Sequence, residues 1–180
     1  MNDFLEQAVG AALRRRGLKL VVAESCTGGL LGHRITRVAG ASDYFPGGVI
    51  AYANEAKMAL LGVPPGLLAQ FGAVSEETVL EMARGVRQAF IETAPLDRLV
   101  GLAVSGIAGP GGGTPDKPVG LTYIGLSCAQ VEKTWQRVWP GDRSANQADT
   151  AEEALRLLLE TLEQLPDERS ADQRNIPHAP

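Results

Sequence analysis

Two short apolar runs, residues 18–23 and 99–104, each lead directly into a turn that carries a hydroxyl and glycines. Runs of this length, bounded by turn residues and apolar on both faces, suit central strands covered on both sides. After the first run comes Ala23-Glu24-Ser25-Cys26-Thr27-Gly28-Gly29, then apolar residues at helical spacing, Leu30, Leu31, Ile35 and Val38. After the second comes Ser105-Gly106-Ile107-Ala108-Gly109-Pro110-Gly111-Gly112-Gly113-Thr114. A strand ending in such a turn is built for a nucleophile or an anion. Glycines such as Gly28 and Gly29 allow close backbone approach, and the helix that follows begins with free N–H groups. Ligands of open α/β sheets bind beyond the carboxyl ends of the strands, so Ser25 and Ser105 are expected at one edge and in one site. The turn also has a purely structural reading, in which Thr27 caps the next helix.

The remaining segments alternate in type. A first helix, capped by Asn2 or Asp3, buries Phe4, Leu5, Ala8, Val9, Ala12 and Leu13 and stops at Gly17. Residues 45–53 read as a strand broken by Gly47 and Gly48. Asn54 caps a helix with Lys57 near its start, which Gly62, Pro64 and Pro65 stop; a loop follows. Ser75 caps the next helix, with Glu76 and Glu77 suited to its first turn and Val79, Met82, Ala83, Val86 and Phe90 on its buried face. Residues 119–128 and 131–139 form a hairpin. Asp142 caps a last helix with Ala151, Leu155, Leu158, Leu159, Leu162 and Leu165 on one face, ended by Pro166. This order predicts an α/β fold, a three-layer α/β/α sandwich with a mixed, mainly parallel sheet. The 180 residues allow one domain with a sizeable core, placed at 1–165, and a disordered polar tail at 166–180.

Composition excludes several functions. The net charge of −4 gives no electrostatic case for nucleic-acid binding, and the Arg14-Arg15-Arg16 run ends a helix, where cations suit the dipole. Cys26 and Cys128 form no CxxC pair, and no Cys/His cluster suggests a metal. The 109–114 loop matches neither GxxxxGK[ST] nor GxGxxG, so phosphate-loop and dinucleotide readings fall away. Asp3 and Glu6 precede any apolar run, and no apolar span reaches 18 residues. The chain is therefore expected in the cytoplasm, with no signal peptide and no membrane contact.

A serine nucleophile needs a base. His33 lies about 12 Å along the following helix, and His178 falls in the tail, so no Ser-His-Asp triad is expected. Lysine is the remaining option. Lys19 is about 20 Å from Ser25, at the other end of the first strand, and Lys133 sits in the hairpin. Lys57 and Lys117 remain as rivals. A lysine base must be neutral, which burial and a helix N-terminus both favour. Tyr52, five residues before Lys57, is placed to relay the proton. Against these stand a solvated helix lysine and a core-edge aromatic. Cys26, beside Ser25 at a helix start, is the alternative nucleophile. Ser105-Gly106 and the Ser25 turn offer N–H groups for an oxyanion. Gly111, Gly112 and Arg143 are candidates for holding an anionic group.

Several segments, in this order, resemble the CinA C-terminal family: Ala23-Glu24-Ser25-Cys26-Thr27-Gly28-Gly29, Tyr52-Ala53-Asn54-Glu55-Ala56-Lys57, Leu60-Leu61-Gly62-Val63, Phe71-Gly72-Ala73-Val74-Ser75-Glu76-Glu77, Ser105-Gly106-Ile107-Ala108-Gly109-Pro110-Gly111-Gly112 and Lys117-Pro118-Val119-Gly120. The family takes its name from a competence- and damage-inducible protein. Its larger members carry a further N-terminal domain, and this sequence is similar to the stand-alone nicotinamide-nucleotide amidase form. The resemblance implies hydrolysis of nicotinamide mononucleotide (NMN) to nicotinate mononucleotide and ammonia, in pyridine-nucleotide recycling, with no metal and no cofactor. It matches Ser25 to the nucleophile, Lys57 to its base and Tyr52 to the third catalytic position. With NMN as substrate, Thr27, Gly28, Gly29, Ser105, Gly106, Gly111, Gly112 and Arg143 are its expected contacts, and the resemblance suggests a homo-oligomer. Ser105 stands where many members have threonine, and Ala53 where serine is common. The competing expectation is a non-catalytic nucleotide-binding or adaptor domain linked to competence or DNA damage.

Overall fold

The computed structural model describes residues 4–166. Its strands are β1 (Lys19–Glu24), β2 (Gly47–Ile50), β3 (Leu99–Gly106), β4 (Leu121–Ser127) and β5 (Glu132–Val138), in one open sheet of order β2-β1-β3-β4-β5. β1 pairs parallel with β2 and with β3, and β4 pairs antiparallel with β3 and with β5. Four strands therefore share one direction and β4 alone opposes them, which is the mixed, mainly parallel sheet expected. The helices are α1 (Phe4–Arg16), α2 (Leu30–Thr36), α3 (Asn54–Leu61), α4 (Pro65–Phe71), α5 (Glu76–Ala89) and α6 (Arg143–Gln164).

Side chains alternate across the strands and divide the core in two. Leu20, Val22, Leu102, Val104, Ile124 and Leu126 face α1, α2 and α6, packing with Leu13, Leu31, Leu155 and Leu158. Val21, Ala23, Leu99 and Ala103 face the other way, against Leu61, Val79, Met82 and Val86. α5 lies unusually close to the sheet. A Cβ on Gly101 would stand 2.1 Å from the carbonyl oxygen of Ala83, and one on Gly125 would stand 2.7 Å from that of Val79. These two glycines let the helix backbone rest on the strands.

The chain leaves β1 toward β2 through α2 on one face. It then returns past β1 to β3 through α3, α4 and α5 on the other face. The boundary between β1 and β3 is therefore the switch point at which open α/β sheets form ligand crevices. Ser25 follows β1 there and Ser105 lies near the end of β3.

Three local expectations change. The segment after Pro64 is helical, because Pro65 occupies the first helical position, where its missing N–H costs nothing. β2 is shorter than residues 45–53, and Gly47 and Gly48 lie inside it; a Cβ on Gly48 would press 2.4 Å from Val22 Cγ2. Asn54 is the first residue of α3, and Ala53 occupies the cap. Asn2, Asp3, His178 and nearly all of the expected tail fall outside the described residues. No described helix is long and apolar enough to cross a membrane.

Candidate active site

The Ser25 turn is held from three sides. Ser25 N–H donates to Val104 O of β3 (3.0 Å), and its carbonyl accepts from Gly28 N (3.2 Å). Its hydroxyl oxygen is 2.9 Å from Lys57 Nζ. Lys57 reaches it from the first turn of α3 with its side chain inward, and only 1% of the residue is exposed. The amine also donates to the carbonyls of Ala51 (2.8 Å) and Tyr52 (3.1 Å). This set fits both protonation states. An ammonium fills all three acceptors; a neutral amine donates to the two carbonyls, which cannot donate back, and turns its lone pair to the Ser25 hydroxyl. Burial pushes the Lys57 ammonium below the ordinary lysine value. The solvated-lysine reading of this residue therefore fails.

The other lysines lie elsewhere. Lys19 Nζ donates to Thr93 O and Lys133 Nζ to Gln164 Oε1. Lys117, the rival base, donates to Phe71 O (2.7 Å) and Val74 O (2.8 Å) and ties the glycine-rich loop to the α4–α5 connection. Cys26 adjoins Ser25 and lines the cavity, but burial pushes its thiol up to about 12, where it holds its proton at neutral pH.

A cavity of ≈ 200 Å³ opens over this pair. Its walls include Ser25, Lys57, Tyr52, Ser105, Gly106 and Arg143, and among the described residues no acidic side chain lines it. Tyr52 is 60% exposed, and its hydroxyl accepts from Arg143 Nη2 at 2.9 Å. With Lys57 directly on Ser25, the tyrosine stands at the mouth rather than between the two. Arg143, at the start of α6, also donates from Nη1 to Gly109 O (2.8 Å). Ser105 donates to Ala73 O (2.6 Å), fixing the opposite wall. Gly106 has no room for a side chain: a Cβ would meet Thr122 Oγ1 at 2.6 Å.

Five expected contact residues sit away from the cavity lining. Gly111 and Gly112 are in the exposed part of the loop. Thr27, Gly28 and Gly29 face the helix start instead, because Glu24 has taken the N–H groups there. Glu24 Oε2 accepts from Thr27 Oγ1 (2.6 Å), Gly29 N (2.9 Å) and Leu31 N (3.0 Å), and Oε1 accepts from Gly32 N (2.8 Å). The start of α2 is thus capped by the chain's own carboxylate, and Thr27 donates to that carboxylate rather than capping the helix, whose N-cap is Gly29.

The model of the CinA C-terminal domain matches residues 2–162. The chain belongs to the CinA C-terminal domain family. A putative competence-damage inducible protein of Moorella thermoacetica is 47% identical over 161 residues, covering 89% of this chain and 37% of that protein. A CinA-like protein of Salinibacter ruber is 46% identical over 158 residues, covering 88% and 37% respectively. The chain thus spans little more than a third of the length of these relatives. The crystal structure of a CinA superfamily protein from Klebsiella pneumoniae superposes with a TM-score of 0.83 at 33% identity, covering 92% of this chain and 100% of that one.

In this CinA-family site, sequence reasoning missed the part played by Glu24, Ala73, Val74, Ala108, Asn146 and Gln147. Ala73 and Val74 wall the cavity, from a segment conspicuous in the sequence only through the family motif. Gln147 Nε2 donates to Cys26 O (2.7 Å) and Asn146 Nδ2 to Ala108 O (3.0 Å), so the first turns of α6 grip both glycine-rich turns. No sequence signal marked these two residues, because residues 143–150 are polar almost throughout.

Proposed function

We propose that this chain is a serine amidohydrolase that converts NMN to nicotinate mononucleotide and ammonia. The observation carrying the reading is the buried 2.9 Å contact between Lys57 Nζ and Ser25 Oγ at the switch point of the sheet. The choice of NMN rests on the family resemblance and on a cavity whose one exposed cation, Arg143, suits a substrate phosphate. Neutral Lys57 takes the Ser25 proton, and Ser25 Oγ attacks the carboxamide carbon. The resulting oxyanion is held by backbone N–H groups of the turn, Cys26 first among them, since the residue after a nucleophile on a strand-to-helix turn commonly supplies one. Lys57 returns the proton to the leaving nitrogen and ammonia departs. Water, deprotonated by the same lysine, then attacks the acyl-serine ester, and Lys57 returns that proton to Ser25 Oγ as nicotinate mononucleotide leaves. Tyr52 acts as a partner of Arg143 at the mouth, and Lys57 needs no relay to reach Ser25.

The test is product analysis on NMN. Ammonia and nicotinate mononucleotide in equal amounts are expected. Release of nicotinamide would mean glycosidic cleavage, and binding without either product would mean a non-catalytic nucleotide-binding domain. Homo-oligomerisation belongs to the same proposal, supported by the exposed large apolar side chains Ile50 of β2 and Leu60 of α3. A monomer mass by light scattering at working concentration would contradict it.

A further inference from the structure

Glu24 is 2% exposed, and all four of its side-chain hydrogen bonds come from the loop and helix start directly after Ser25. Its backbone is engaged as well: Glu24 O accepts from Ala51 N at 2.8 Å, and Ala51 O is one of the two carbonyls that orient Lys57. Both members of the Ser25–Lys57 pair are therefore tied to residue 24. Space for the carboxylate is reserved, since a Cβ on Gly32 would stand 3.3 Å from Glu24 Oε1. The donors are a hydroxyl and three backbone N–H groups, so only an acceptor on both oxygens satisfies the set.

We infer that Glu24 is a positioning residue for catalysis, which fixes the Ser25 turn at the angle from which Oγ meets Lys57. The inference rests on Ser25 being the nucleophile. Glu24→Gln keeps the volume but turns an NH₂ group toward buried N–H donors, leaving some of them unpaired. The turn then relaxes, and small misplacements of a reacting group are costly in rate.

The experiment uses the whole chain and a fluorophosphonate, which labels activated serines, so that the result does not depend on NMN being the substrate. Both the final stoichiometry and the rate constant of labelling are read by intact mass. Wild type should label once, at Ser25. Glu24→Gln should reach the same stoichiometry with a rate constant lower by about a hundredfold. Its kcat for ammonia release should fall in parallel while KM stays nearly constant. A merely structural role predicts the opposite split, a reduced labelled fraction at the wild-type rate, and that result overturns the inference. If Glu24→Gln does not fold, Thr27→Val removes one of the four donors with little change of shape, and it should slow labelling several-fold at full stoichiometry; an unchanged rate there overturns the inference equally. Wild-type chain that the reagent leaves unlabelled contradicts the serine nucleophile itself, and the Glu24 role with it.

Discussion

At the scale of single residues, the account turns on one amine. Lys57→Arg keeps a cation but cannot supply a neutral base, because guanidinium stays protonated. It should fold and lose about 10²–10⁴-fold in kcat; near-wild-type turnover in a folded variant would remove Lys57 as base. The lowered pKa of Lys57 has a further consequence. Unfolding returns the amine to its ordinary value, 10.5. Between the folded and unfolded values the unfolded chain binds more protons, so stability rises with pH. The cost of the buried ammonium is fully present below the folded value and is relieved toward 10.5. The unfolding free energy of wild type minus that of Lys57→Met, from denaturant titrations at several pH values, should therefore grow more positive as pH rises through that window. A flat or falling difference would mean that Lys57 is not held below its ordinary value.

At the scale of elements, close backbone approach places Lys57. A Cβ on Gly85 of α5 would stand 1.9 Å from the carbonyl oxygen of Leu61, the last residue of α3. Gly85→Ala must push α3 away, and with it Lys57. We expect a loss of about 1–3 kcal/mol in denaturant titration, the usual cost of overpacking, together with reduced turnover; unchanged stability would show that α3 is free to move. The segments readable in the sequence were those whose own pattern sufficed. α5 and α6 show their periodic faces and caps, and Ser75 and Asp142 accept from Thr78 N and Ala145 N as their positions suggest. α4 has seven residues and buries only Leu68, too little for a period to register. Excluding the histidines and the distant lysines left Lys57 and Lys117 as rivals, and only the family resemblance singled out Lys57. The exposure of Tyr52 and the diversion of Lys117 to two carbonyls depend on how α3 and the glycine-rich loop pack, which no local spacing encodes. Glu24 was invisible for a related reason: its acceptors are satisfied only once the turn has closed.

At the scale of the whole molecule, the fold brings the Ser25 hydroxyl, the Lys57 amine and the exposed Arg143 guanidinium to a single cavity, from the turn after β1, from α3 and from α6. Arg143 and Lys57 then have separable duties. Arg143→Gln should raise KM for NMN by roughly tenfold or more, as expected for one lost charge-assisted contact, while kcat changes little; a pure kcat effect would place the arginine in the chemistry instead. The central claim is that Ser25, activated by Lys57, attacks the carboxamide. Ammonia release from NMN by Ser25→Ala and Cys26→Ala, compared with wild type under one set of conditions, tests it most directly. The account predicts that Ser25→Ala loses at least about a thousandfold, as removal of a catalytic nucleophile does, and that Cys26→Ala keeps most of its rate. A folded but inactive Cys26→Ala beside an active Ser25→Ala would contradict it.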